Sequence, residues 1–92
     1  PEDTIVSRAF SGRAGRSIAT DYVRAASAAA APAPAPYPVQ RGLTAAMRKA
    51  ALQSGDIQRM QAWAGQSAGM ASDRPARELA RSLWDDAQQW LP

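Results

Sequence analysis

A chain of 92 residues holds one small domain at most, and although 46% of it is hydrophobic, much of that is alanine, with one Phe, two Tyr and three Trp as large anchors. The formal charge is +3 with neither histidine nor cysteine, which excludes a disulfide framework, a thiolate nucleophile and an ordinary zinc site. No apolar run approaches the ~20 residues of a membrane-spanning helix, and Pro1-Glu2-Asp3 carries no initiator methionine or signal sequence, so the chain reads as a cytoplasmic piece of something larger, starting at a cut end.

Thr4 to Phe10 contains the β-formers Thr4, Ile5, Val6 and Phe10 and is expected to form a single N-terminal strand. Alone it has exposed edges and needs a partner from elsewhere. Ser11-Gly12-Arg13-Ala14-Gly15-Arg16 then places two glycines and two arginines where a strand hands over to a helix. Such a turn can present backbone N–H groups to a phosphate, contact nucleic acid, or hold neighbouring elements through its cations. It is not a P-loop, because the lysine and the Ser/Thr that follows it are missing.

Residues 14–30 read as a helix, with Ile18, Tyr22, Val23 and Ala26 at helical spacing and Ala28 to Ala31 prolonging it by propensity. Residues 31–38 alternate alanine and proline before Tyr37, which excludes helix and predicts an extended connector. A second helix is expected over 43–54, ended by Ser54-Gly55, and a third over 56–64, capped by Asp56 and carrying Ile57, Met60, Trp63 and Ala64. Small residues from Gly65 to Gly69 interrupt the pattern and permit close approach of another chain or a ligand.

The last helix is expected over 73–92, with Asp73 as cap and Pro75 in the first turn. Ala76, Leu79, Ala80, Leu83, Trp84, Ala87, Trp90 and Leu91 form an apolar stripe along it. Arg77, Glu78, Arg81, Asp85 and Asp86 mark the opposite face. The fold class is therefore α+β, mostly helical with one N-terminal strand. The stripe calls for a surface outside these residues to cover it, and the isolated segment is expected to self-associate.

Chemistry is sparse. Asp85-Asp86 belong to a solvated helix face, Ser11 has no histidine to activate it, and nothing in the spacing pairs it with Lys49. Ten of the eleven cations are arginine, four of them between Arg8 and Arg24 against one acid, Asp21. That excess supports an alternative in which a small basic helical module binds nucleic acid through Arg8, Arg13, Arg16 and Arg24, or binds a partner protein. It is smaller than the basic stripe nucleic-acid binders usually show, and the apolar last helix favours protein contacts, so no nucleic-acid or membrane partner is expected.

Thr4-Ile5-Val6-Ser7 followed by Ser11-Gly12-Arg13-Ala14-Gly15-Arg16 resembles the "T-x-x-[ST]…SGRxxR" segment of the nitronate monooxygenases, also called 2-nitropropane dioxygenases. Tyr37-Pro38-Val39-Gln40, Leu43-Thr44, Trp63-Ala64-Gly65-Gln66-Ser67-Ala68 and Pro75-Ala76-Arg77-Glu78-Leu79 resemble later segments of that family, in the same order. The resemblance implies the C-terminal quarter of an FMN-binding (β/α)8 barrel with an added substrate domain. Residues 1–72 would lie in the added domain, and the helix over 73–92 would pack back on the barrel.

The implied reaction is oxidation of an alkyl nitronate by flavin and dioxygen to a carbonyl compound and nitrite. The catalytic histidine and most FMN phosphate contacts would lie upstream, so no catalytic residue is expected here and the segment alone should be inactive. One class of the family places tyrosine, tyrosine and lysine at four-residue intervals around the substrate pocket. Tyr37 matches the first position, while Arg41 and Ala45 replace the others. The resemblance thus implies Tyr37 and Arg41 for the pocket and Trp63, Gly65 and Gln66 for the flavin side. It also makes the SGRAGR stretch a strand-to-helix turn whose arginines pair with groups elsewhere in the enzyme. The family often has proline then alanine where this chain has Ala14-Gly15.

Overall fold

The N-terminal strand finds its partner within the chain. In the computed structural model, which describes residues 3–92, β1 (Thr4–Ser7) pairs antiparallel with β2 (Gly15–Ile18), Thr4 opposite Ile18 and Ser7 opposite Gly15. The expectation of one strand followed by a helix from residue 14 is therefore corrected to a two-stranded sheet. An unpaired strand leaves its backbone N–H and C=O groups to solvent, and the hairpin satisfies one edge of each. The free edge of β2 is occupied in turn: Ile18 donates its backbone N–H to Ala62 at 2.9 Å, and Ala64 donates to Arg16 at 3.2 Å.

That third pairing explains why the helix expected over 56–64 is only a 3-10 turn, Ile57–Arg59. Asp56 does cap it, accepting from the Gln58 N–H, but residues 62–64 lie extended along β2, where Ser17 and Trp63 form an antiparallel bridge. A sheet edge with unpaired groups outcompetes a short helical period here.

The helix expected over 14–30 shrinks to α1 (Asp21–Ala26), whose N-cap Thr20 accepts from the Val23 N–H at 3.5 Å. Beyond Ser27 the alanines form turns rather than helix, exposed over residues 28–30. Propensity without a buried face does not sustain so short a helix, and Pro32 excludes the helical region at the residue before it. The connector runs extended to Pro36, after which α2 (Val39–Leu43) precedes α3 (Ala45–Ser54). Thr44 separates the two, so the expected 43–54 helix begins two residues late. Gly55 ends α3 in the left-handed region at φ 71°, as its sequence position predicted.

The core is small: Ala9, Phe10, Val23 and Ala51 are the buried apolar residues, with Ser17, Thr20 and Thr44 buried among them. Phe10 is its centre. Its ring lies 5.1 Å from that of Tyr22 and 6.0 Å edge-on from that of Trp63, distances at which aromatic pairs attract beyond simple area burial. Thr44 donates its hydroxyl to the Phe10 carbonyl at 2.7 Å, tying the start of α3 to the hairpin. Thr44→Val should cost the fold about 1–3 kcal/mol, since it leaves that carbonyl buried without its donor. Faster amide exchange along β1 and α3 in the full-length polypeptide would register the loss, and wild-type protection would contradict it.

The last helix, α4 (Ala76–Gln88), is shorter than the expected 73–92. Pro75 occupies the N-cap position with no side-chain cap, so Asp73 does not cap it. Its apolar stripe is open to solvent at Leu83 and Trp84, and Trp90 and Leu91, expected to continue it, are exposed beyond the helix end.

Candidate functional site

Residues 8–14 form the loop of the β1–β2 hairpin, and three local devices shape it. Arg8 donates Nη1–H to the Gly12 carbonyl at 3.1 Å, Gly12 returns its N–H to the Arg8 carbonyl at 3.0 Å, and Ser11 Oγ accepts from the Arg13 N–H at 3.2 Å. Gly12 has φ 91° and is buried; a Cβ there would lie 2.5 Å from the Tyr37 nitrogen and 2.7 Å from the Ala35 carbonyl. Only glycine lets the loop backbone lie against the connector at this point.

Tyr37 is held where the connector meets α2, after a turn in which the Pro36 carbonyl accepts from the Val39 N–H at 2.8 Å and the Gln40 N–H at 3.3 Å. Its peptide bond to Pro38 is cis. The Arg13 guanidinium carbon sits 4.0 Å over its ring centroid, a cation–π contact on a half-exposed aromatic face. Arg41 lies one helical turn beyond Tyr37, its side chain exposed and its carbonyl accepting from Arg48 Nη2 at 3.0 Å.

Gln40 completes the clamp between connector and hairpin. It accepts from the Ala35 N–H at 3.0 Å and donates to the Ala9 carbonyl at 2.9 Å. The Tyr22 hydroxyl donates to the same carbonyl at 2.7 Å. Burial pushes the Tyr22 phenol above its ordinary pKa and the Gln40 side chain pulls it part of the way back, so it is protonated and donating throughout the neutral range. An apolar groove of about 520 Å³ opens beside these groups, floored by alanines of α1 and the connector. Neither Tyr37 nor Arg41 lines it.

The other expected residues lie at the opposite end of the same loop. The Trp63 ring covers Gly15, where a Cβ would approach it to 2.6 Å, and packs edge-on against Phe10. Gly65 and Gln66 follow in an exposed segment, with open space where a Gly65 side chain would be. Among the described residues, the backbone N–H groups of Gly65, Gln66 and Ser67 make no backbone hydrogen bond. Neutral donors of this kind suit the carbonyl and ring-nitrogen edge of a flavin ring. Residues 60–73 place no cation beside them.

The stretch Gly12 to Gly15 thus touches both groups of expected residues, Gly12 and Arg13 against Tyr37, Gly15 against Trp63. Sequence reasoning placed a strand-to-helix turn here; the structure makes it a strand-to-strand loop. Two glycines three residues apart were the visible signal, but what they approach is set by tertiary packing. Its arginines also differ in role. Arg8 holds the loop, Arg16 donates to Thr4 Oγ1 at 3.0 Å, and Arg24 pairs with Asp3 at 3.2 Å and donates to the Ala19 carbonyl. Three of the four cations of a basic nucleic-acid module are therefore engaged internally. Among the described residues no group of His, Cys, Asp or Glu could hold a metal, and no helix is long and apolar enough to cross a membrane.

Residues 1–86 match the family model of nitronate monooxygenase. Two probable nitronate monooxygenases of Staphylococcus aureus, from strains Newman and MSSA476, are 33% and 34% identical to the chain over 87 residues, covering 95% of it and 24% of each relative. Nitroalkane oxidase from Streptomyces ansochromogenes, known from crystal structures, superposes with a TM-score of 0.81 at 38% identity, over 96% of this chain and 24% of that one. The chain spans about a quarter of the length of each protein it matches.

Proposed function

The chain belongs to the nitronate monooxygenase family, and from that premise we propose that it is the C-terminal quarter of a flavin-dependent enzyme that oxidises alkyl nitronates with dioxygen to a carbonyl compound and nitrite. In this proposal residues 1–72 belong to a substrate domain added to an FMN-binding (β/α)8 barrel, and 73–92 return to the barrel. Supporting that return are the solvent-open Leu83 and Trp84 of α4 and the exposed Trp90 and Leu91 just beyond its end. Fully covering each would contribute roughly 1.5–3 kcal/mol.

The observation that carries the functional proposal is the hairpin loop with Tyr37 seated at one end and Trp63 at the other. Tyr37 and Arg41 line the substrate pocket, Tyr37 offering a ring face and a phenol and Arg41 a cation suited to an oxyanion. Trp63, Gly65 and Gln66 flank the flavin ring, their neutral donors fitting its polar edge. FMN, held mainly by the barrel, supplies electron transfer from substrate to dioxygen. This chain contributes the wall that binds and orients the substrate and excludes water, and no catalytic residue. Its small-molecule substrate and the remainder of the same polypeptide are its partners.

The full-length polypeptide should purify yellow with bound FMN, consume oxygen on addition of an alkyl nitronate and release nitrite, and the 92-residue chain alone should do none of these. FMN binding without nitronate-dependent oxygen uptake would overturn the reaction while leaving the family standing.

A further inference from the structure

We propose that Arg13 recognises the negative charge of the substrate, so that the site takes the anionic nitronate in preference to the neutral nitroalkane; this rests on the assignment of Tyr37 to the substrate pocket. The similar proteins bear names referring to both forms of one compound class. Charge is what separates the two forms.

Arg13 is set apart from its neighbours by what it does not do. Arg8, Arg16, Arg24 and Arg48 all place their guanidiniums in hydrogen bonds within the fold. Among the described residues the Arg13 side chain makes no hydrogen bond and no ion pair; its one contact of note is the Tyr37 ring, 4.0 Å away. An aromatic face attracts a cation through its quadrupole but leaves the five guanidinium N–H groups available to an oxyanion with two oxygens in one plane. A nitronate has that shape.

The surroundings favour an anion. No Asp or Glu occurs between Asp3 and Asp21 or between Asp21 and Asp56, so neither the hairpin loop nor the connector, α2 or α3 carries a carboxylate to neutralise Arg13. Arg41 adds a second exposed cation one helical turn beyond Tyr37. The position of Arg13 is also fixed in advance: Gly12 fits against the backbone of residues 35–37, and Arg8 and Ser11 hold the loop from either side. A cation seated before binding loses little freedom when the ligand arrives.

The test uses the full-length enzyme with Arg13→Gln. KM for an alkyl nitronate should rise about ten- to a hundred-fold, the range of a lost charge-assisted hydrogen bond. The KM for the matching neutral nitroalkane, whose nitro oxygens carry only partial charge, should rise by a clearly smaller factor. The dissociation constant of nitrate, a planar anion that does not react, should rise with the nitronate KM when measured by calorimetry, and Arg13→Lys should fall between. Equal changes for nitronate and nitroalkane, or no change in either, overturn the proposal. Tyr37→Ala separates the two levels. If it raises both KM values while Arg13→Gln discriminates nothing, only the role of Arg13 falls; if it changes neither, the pocket assignment falls too.

Discussion

Gly12→Ala is expected to be the most disruptive single-methyl change in the chain. Its φ of 91° lies in the region that L side chains rarely adopt, and the new methyl would meet the backbone of Tyr37, Ala35 and Pro36 at 2.5–2.7 Å. The conformational penalty is about 1–2 kcal/mol, and forcing an extra carbon into a packed junction adds about 1–3 kcal/mol. The obstacle is backbone, so no flexible side chain can yield. The connector must move away from the hairpin, taking Tyr37 from beneath Arg13. Gly55→Ala is the matched control, with φ 71° but open space around the new carbon, and should carry the conformational penalty alone. Hydrogen exchange in the full-length polypeptide reads both: Gly12→Ala should deprotect the β1–β2 amides and the start of α2, and Gly55→Ala only the end of α3. Equal, local effects of the two would contradict the packing described at Gly12.

Phe10→Ala should have an effect of similar size through a different cause. Phe10 is 1% exposed and is the largest of the few fully buried side chains. Its ring joins Tyr22 of α1 to Trp63 of the third extended segment. Removing it costs about 3–5 kcal/mol in transfer and cavity terms, and a core this small has few neighbours to collapse into the space. Because Trp63, which we propose flanks the flavin ring, leans on Phe10, the variant should also weaken FMN binding in the full-length protein, whereas Thr44→Val should leave it nearly unchanged. Retention of both amide protection around β2 and FMN affinity would show that the Phe10–Trp63 contact contributes little.

Both predictions depend on the same junction, and only part of it was legible in the sequence. The stop at Gly55, the Asp56 cap, the extended connector and the amphipathic stripe of α4 all depend on residues within a few positions of one another. Local chemistry therefore dictated them. The second strand did not announce itself in that way. Arg16-Ser17-Ile18 carries no strong β signal, and Ile18, Tyr22 and Val23 fit a helical period. Pairing with Thr4–Ser7 on one edge and with Ala62–Ala64 on the other supplied backbone hydrogen bonds that no local periodicity encodes. The same edge converted the far end of the expected third helix into extended chain.

The sequence by itself determined the family of this protein and its candidate residues: an ordered set of short motifs, Tyr37 and Arg41 near one of them, Trp63, Gly65 and Gln66 in another. Such motifs are linear, and a linear pattern is readable without a fold. Only the tertiary structure decided how those residues relate. Gly12 can lie against Tyr37, and Gly15 against Trp63, because a hairpin loop reaches both the connector and the third extended segment. It also decided which arginine of the stretch from Arg8 to Arg24 makes no hydrogen bond with its side chain among the described residues, since bonds formed across the fold engage Arg8, Arg16 and Arg24 and leave the Arg13 guanidinium on an aromatic face. Contacts between residues distant in sequence depend on the packed shape of the chain, and the order of its residues does not list them.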